Sequence, residues 1–394
     1  MKAPAGRTLV FSFDGTGNEP GDAHAYRQDE SISNVLKLHV LMGGGLEEDR
    51  TPTRTLAGAP QSTWYYNGIG TREGGVKLPL VGWLVSKATG LINQALAPTW
   101  GDARRIVDEA SADLNDAKPT ADDKVVVLGF SRGAALARKF ARNTLEHYDN
   151  LKIAFLGVFD TVGAIDRFQH RSEQTEGDVE FENGTVHDRV ERAVHILALD
   201  EDRVAFEPTM MNRDPSNPER ITEIWFPGAH GDIGGGYWLD GLADVALSYM
   251  IARCRECLGK HINIEESKAS KIRELIAAQG EILELLDADD IIINPDVTGT
   301  THAHTAGLAT LYSREVRKVC VWESDRLLTA SECRPLVHHS VKARYDLVSD
   351  YRPPALRGLR FDLLMPGGRR LEVEGIAGLR EVRDRRSRDR KRVG

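Results

Sequence analysis

Ser131 sits in Gly129-Phe130-Ser131-Arg132-Gly133, a G-x-S-x-G that falls between a strand pattern and a helix pattern. Before it, Lys124-Val125-Val126-Val127-Leu128 is the β-branched apolar run of a strand buried on both faces. After it, Leu136, Ala137, Phe140, Ala141 and Leu145 recur at helical spacing. A sharp strand-to-helix turn strains the serine backbone, and the flanking glycines let neighbouring backbone pass without a Cβ clash. The hydroxyl then stands above the sheet at the positive end of a helix, placed for attack on an acyl carbonyl. A turn with only a structural role is the competing reading.

A serine hydroxyl is a poor nucleophile by itself, so this chemistry requires a histidine base and a carboxylate to orient it. Two apolar runs end in aspartate: Ile153–Phe159 leads into Asp160, and Val194–Leu199 leads into Asp200. A third, Ile221–Phe226, leads into Pro227-Gly228-Ala229-His230-Gly231-Asp232-Ile233-Gly234-Gly235-Gly236-Tyr237. The chain order is therefore Ser, Asp, His, that of an α/β-hydrolase. His230 closes a strand and opens a loop with four glycines in six residues, which makes it the base candidate.

Asp160 is the favoured acid, because a lone carboxylate at an apolar strand end is costly to bury without a specific partner. Asp200 is the alternative, at the commoner position after the second strand, although Asp200-Glu201-Asp202-Arg203 also reads as a paired charge cluster. Asp232 reads as a loop organiser. His302, His304, His338 and His339 read as surface or packing residues, and no metal site is expected from them.

The first strand, Thr8–Phe13, breaks at Asp14-Gly15-Thr16-Gly17-Asn18. Acyl transfer develops a negative oxygen that must meet positioned N–H donors. Arg132 N–H is the first candidate, with Gly15 or Thr16 N–H the second. Asp14 is expected to bond the turn's own amides. A phosphate-binding loop is disfavoured, since neither G-x-G-x-x-G nor a Walker lysine is present.

Together, Phe13-Asp14-Gly15-Thr16, the elbow through Ala134, Val158-Phe159-Asp160-Thr161-Val162, Ala198-Leu199-Asp200-Glu201 and the Gly228–Tyr237 block resemble the α/β-hydrolase catalytic domain of type VI secretion phospholipase effectors. The resemblance extends to His339-Ser340-Val341 and Tyr351-Arg352-Pro353-Pro354-Ala355-Leu356, covering most of residues 7 to 356. It implies a triad of Ser131, Asp160 and His230, an ester or phospholipid substrate, no cofactor, and a secretion-system or chaperone partner. Three function classes follow: a serine esterase or phospholipase, a hydrolase of another acyl bond such as a thioester or polymer ester, and a non-catalytic binding protein that keeps the fold.

The expected architecture is an α/β-hydrolase-like, mostly parallel sheet flanked by helices, with a mostly helical C-terminal extension. Residues 1–258 form the core, 259–379 the extension and 380–394 a basic tail. Ser62–Tyr66 reads as a strand; Ala88–Ala97, Ala103–Leu114, Leu242–Leu258 and Glu265–Asp287 read as helices; Leu356–Glu374 reads as a hairpin about Pro366-Gly367-Gly368. Within the core, 74–100 clusters apolar residues suited to a lid, an acyl-chain groove or ordinary packing.

With 394 residues, 41% hydrophobic and 28% charged, the chain can bury a large core. No run approaches the roughly 20 apolar residues of a membrane span, and Met1–Gly6 lacks a signal-peptide core, so a cytoplasmic protein exported, if at all, by a non-classical route is expected. A net charge of −8 argues against nucleic acid as a partner. The tail Arg380–Arg392 carries eight Lys/Arg among three acids, suiting either a solvated tail or peripheral contact with phosphate head groups. Cys254-x-x-Cys257 lies in a helix pattern and reads as two reduced packing cysteines.

Overall fold

A computed structural model describes residues 6–18, 22, 29–46, 53–54, 61–69, 100–163, 186–278, 286–302 and 314–382. Of the segment 74–100, read as a lid, a groove or ordinary packing, residues 74–99 lie outside the described residues, as does the tail from 383.

Ten strands make one sheet: β1 (Thr8–Phe13), β2 (Thr53–Arg54), β3 (Gln61–Tyr66), β4 (Lys124–Phe130), β5 (Ile153–Phe159), β6 (Ala193–Ala198), β7 (Ile221–Phe226), β10 (Leu336–His338), β11 (Arg360–Leu364) and β12 (Arg370–Glu374). A separate two-stranded ribbon holds β8 (Val321–Glu323) and β9 (Arg326–Leu328). The order across the sheet is β12-β11-β10-β7-β6-β5-β4-β1-β3-β2. All neighbours run parallel except the edge pairs β2–β3 and β11–β12.

Side-chain alternation divides the core into two layers. From β1, Leu9, Phe11 and Phe13 point to one face, beneath the helices Trp100–Asp116 and Ser131–His147. Phe11 stacks on Trp64 at 4.6 Å and packs against Phe140 at 4.8 Å, while Phe13 packs against Tyr66 and Phe140 at 5.0 and 5.4 Å. Each such buried ring contributes about 1.5–3 kcal/mol of transfer free energy. From the same strand Val10 points the other way, joining Val126 and Leu128 under the helices Asn34–Leu41 and Gly241–Leu258. In the second of these helices Cys254 is buried in the core and Cys257 faces outward; both are free thiols.

The extension beyond residue 258 is not a separate layer. Its helices Ala269–Ala278 and His339–Leu347 are joined by strands that enlarge the main sheet, because β10 pairs with β7 and β11 pairs with β10. The hairpin β11–β12 turns at Gly367 and Gly368, both at left-handed φ (83° and 84°), where glycine is the unstrained residue.

From β1 the chain goes to β3 on one side and then to β4 on the other. β1 and β4 are thus adjacent strands whose onward connections leave in opposite directions, the kind of position at which α/β sheets bind ligands. No helix among the described residues is long and apolar enough to cross a membrane.

Candidate active site

Ser131 is the first residue of the helix Ser131–His147, directly after β4, and adopts φ 57°. That left-handed conformation costs a non-glycine residue about 1–2 kcal/mol and persists only where the surroundings impose it. The imposing contacts are at the two glycines. A Cβ on Gly129 would lie 2.6 Å from Ala134 Cα, and one on Gly133 would lie 2.1 Å from the Asp14 carbonyl oxygen. The elbow is thus pressed against the loop that follows β1.

His230 opens a short helix, His230–Gly234, after β7; the sequence had suggested only a loop here. The helix is started by Asp232, whose Oδ2 accepts the Ala229 N–H at 2.8 Å, so Asp232 organises the turn. Gly228 at φ 113° turns the chain before it. His230 Nε2 lies 2.9 Å from Ser131 Oγ, and Nδ1 lies 2.7 Å from Asp160 Oδ2. With Nδ1–H donating to the carboxylate, the Nε2 lone pair faces the serine O–H, an arrangement that can take up the hydroxyl proton.

Asp160 follows β5 at φ 38° and is fully buried. Its Oδ1 accepts the Ala198 N–H at 3.0 Å and Arg317 Nη1–H at 2.6 Å; its Oδ2 accepts Arg317 Nη2–H at 3.0 Å besides His230. Burial pushes the carboxyl up, but the Arg317 charge and the bonds from His230 and Arg317 outweigh it and hold Asp160 well below the usual carboxylate range. The next amide, Thr161 N–H, donates to His195 Nε2 at 3.0 Å, which directs His195 Nδ1–H to Glu223 at 2.8 Å.

Asp200 lies elsewhere in the network. Its Oδ2 accepts the Gly228 N–H at 2.7 Å and the Tyr351 hydroxyl at 2.9 Å, and its N–H donates to the Gly228 carbonyl at 3.0 Å. Burial pushes its carboxyl up to about 6. Glu201, read as part of a charge cluster, accepts the His230 N–H at 3.1 Å while paired with Arg203 at 2.7 Å. Burial raises Glu201, and the Arg203 bonds and charge bring it down to about 2.

At the β1 end, Asp14 bonds its own turn through Gly15 N–H at 2.6 Å, and also accepts the Ser33 and Tyr65 hydroxyls at 2.6 and 2.5 Å. Burial raises its pKa. The Gly15 N–H is therefore engaged, which leaves Thr16 as the donor candidate from this loop. The Thr16 hydroxyl is buried with no hydrogen-bond partner among the described residues. Arg132 lies in the first turn of the elbow helix, where burial lowers its guanidinium to about 10.

Several contributors carried no signal in the sequence. Phe130, the first of the two variable residues of the G-x-S-x-G, packs its ring 4.7 Å from the His230 ring, and a Cβ on Gly15 or Gly234 would collide with it at 2.6 or 2.0 Å. Phe206 meets the same imidazole edge-on at 4.9 Å. His302, read as a packing or surface residue, bonds Asp232 at 2.6 Å and Asp29 at 2.9 Å while stacked on Tyr237 at 3.8 Å. His304 lies outside the described residues, and His338 stacks on Phe226 at 4.1 Å.

A family model described as the catalytic domain of Tle1-like phospholipase effectors of the type VI secretion system matches residues 7–145 and 139–253. No curated protein matches the chain. Among solved structures, an uncharacterized protein from Pseudomonas aeruginosa is 19% identical, covering 73% of this chain and 52% of its own, with a TM-score of 0.38. The Tle1 effector bound to the VgrG spike of the type 6 secretion system is 24% identical, covering 60% and 52%, with a TM-score of 0.32. A hormone-sensitive lipase from a metagenome library is 12% identical, covering 66% and 80%, at 0.32. The chain matches about half the length of the first two.

Proposed function

Because this chain belongs to the family of Tle1-like phospholipase effector catalytic domains, we propose that it is a serine hydrolase that cleaves the carboxylic esters of phospholipids through an acyl-enzyme. The observation that carries this reading is the continuous chain Ser131 Oγ–His230 Nε2, 2.9 Å, and His230 Nδ1–Asp160 Oδ2, 2.7 Å, on a left-handed elbow serine.

In this mechanism His230 Nε2 takes the Ser131 proton as Oγ bonds to the ester carbonyl carbon. Asp160, kept ionised, fixes the tautomer and stabilises the imidazolium. The carbonyl oxygen gains the negative charge and is met by the Arg132 and Thr16 amides, with the Thr16 hydroxyl, which has no partner among the described residues, as a further donor. His230 returns the proton to the leaving glycerol oxygen, leaving a fatty acyl ester on Ser131. Water activated by the same imidazole then attacks that ester and releases the fatty acid, restoring the serine. Family membership also supports a partner in that secretion system and export through it.

The test pairs a fluorophosphonate label with liposomes of phosphatidylcholine and phosphatidylethanolamine. The wild type should be labelled at Ser131 and release fatty acid, whereas Ser131→Ala should be unlabelled and at least about a thousandfold slower. Labelling at another residue, or activity that survives the substitution, overturns the assignment.

A further inference from the structure

Four donors converge on the two oxygens of Asp160: Ala198 N–H, both Arg317 nitrogens and His230 Nδ1–H. A carboxylate offers about four lone-pair sites, so this one is saturated. Arg317 contributes a two-pronged fork, and the pair is closed from water, with side-chain exposures of 3% and 0%. The guanidinium is itself held, since it also donates to the Ala198 carbonyl at 3.2 Å and the Phe206 carbonyl at 2.5 Å. One cation thus joins the acid, the end of β6 and the turn whose Phe206 ring touches the imidazole.

We propose that Arg317 is a positioning residue for the reaction at Ser131: its fork keeps the buried Asp160 ionised and aims Oδ2 at His230 Nδ1. The inference rests on the reading of Ser131, His230 and Asp160 as the reacting group. Arg317 belongs to a distant segment, 157 residues from Asp160 in sequence. That segment is anchored independently by Glu315 N–H to the Asp202 carbonyl at 2.8 Å.

The charged and titratable groups around Asp160 show what its removal would do. Arg317 and His230 touch it directly. Glu201, beyond His230, is neutralised by Arg203, and His195 with Glu223 lies behind the Thr161 amide. Without Arg317 the carboxylate keeps only neutral donors and the imidazole, and its burial is no longer offset by a fixed cation. A buried carboxyl without a counter-charge takes up a proton at higher pH. The acidic limb of activity reports protonation of the coupled His230–Asp160 pair, and Arg317 is the fixed cation that opposes adding a proton to it, so the limb should move upward when Arg317 is removed.

The experiment measures kcat/KM against pH on p-nitrophenyl butyrate for wild type, Ser131→Ala, Arg317→Lys, Arg317→Gln and Arg317→Ala, with circular dichroism reporting folding. Arg317→Gln and Arg317→Ala should shift the acidic limb upward by about one unit, the low end for an adjacent opposite charge. Arg317→Lys retains the cation and should keep the limb in place while lowering the plateau. Millimolar guanidinium should move the Arg317→Ala limb back toward wild type. An unmoved limb in whichever uncharged variant folds overturns the proposal, and so does failure of both to fold, which makes Arg317 a stability residue only. Activity in Ser131→Ala would instead sink the nucleophile assignment on which the proposal rests.

Discussion

Replacing Asp160 and Asp200 by asparagine should have opposite consequences, although both follow neighbouring strands and both are acids in enclosed surroundings. At Asp160 four donors point at the carboxylate. An amide presents one oxygen and one NH2, so in either orientation an N–H faces N–H donors. If the NH2 faces His230, the imidazole is driven to the wrong tautomer, at a cost of around ten-thousandfold in kcat. In either orientation the buried Arg317 loses its anion, and breaking such a pair costs about 3–5 kcal/mol of stability. Asp160 is depressed, so its stabilisation is complete above the unfolded value of about 3.9 and is lost only as pH falls through the lower folded value. The stability deficit of Asp160→Asn should therefore be constant from pH 5 to 9.

Asp200 carries the opposite sign. Its folded value, about 6, lies above the unfolded one, so the fold favours the protonated form, and the carboxylate weighs against folding as pH rises through 6. Two units correspond to at most about 3 kcal/mol. An asparagine oxygen can still accept from Gly228 N–H and the Tyr351 hydroxyl, both of which point to Oδ2. Asp200→Asn should keep activity within a few-fold and gain stability relative to wild type between pH 5 and 8. Urea denaturation at both pH values, with p-nitrophenyl butyrate turnover, decides the matter. A ten-thousandfold loss in Asp200→Asn, or a loss of its stability at pH 8, would refute the reasoning.

Ser131→Gly should be as inactive as Ser131→Ala yet melt at a higher temperature, because φ 57° costs glycine nothing and alanine about 1 kcal/mol or more; equal melting temperatures would mean that the elbow stores no strain. Gly133→Ala should lower both activity and stability, by several kcal/mol, since its methyl would lie 2.1 and 2.5 Å from the Asp14 and Phe13 carbonyl oxygens and neither backbone can rotate away. Wild-type kcat in that variant would show that the elbow and the β1 loop need not touch.

Much of the frame was legible because strands buried on both faces have little freedom in composition. Thr8–Phe13, Ile153–Phe159 and Ile221–Phe226 are strands with the bounds read from their apolar runs. The helix read over Glu265–Asp287 begins instead at Ala269. Before it, Glu265 N–H is taken by the Leu41 carbonyl, while Ile262 and Ile264 pack into the core. Alternation of buried isoleucines is a strand-like signal that the charged run after them obscured. Arg317 was illegible for a different reason. In Arg314-Glu315-Val316-Arg317-Lys318 it looks like one more solvated charge. Only the return of that segment over the end of β6 brings it to a carboxylate.

The place of Asp160 follows from strand order. Ser131, Asp160, Asp200 and His230 stand at the ends of β4, β5, β6 and β7, four consecutive neighbours in the sheet. Strands are spaced about 4.8 Å apart, so the roots of the serine and the histidine are separated by roughly 14 Å. The chain after β7 must lean back across β6 and β5 for the imidazole to reach the elbow. A ring reaching toward β4 has its trailing nitrogen over β5, where Asp160 meets it. The same backward lean needs a brace at its root, and Asp200, just past β6, supplies one by exchanging two hydrogen bonds with Gly228. One acid is therefore under the ring and the other under the turn that carries it, which is why an amide should be ruinous at the first and harmless at the second.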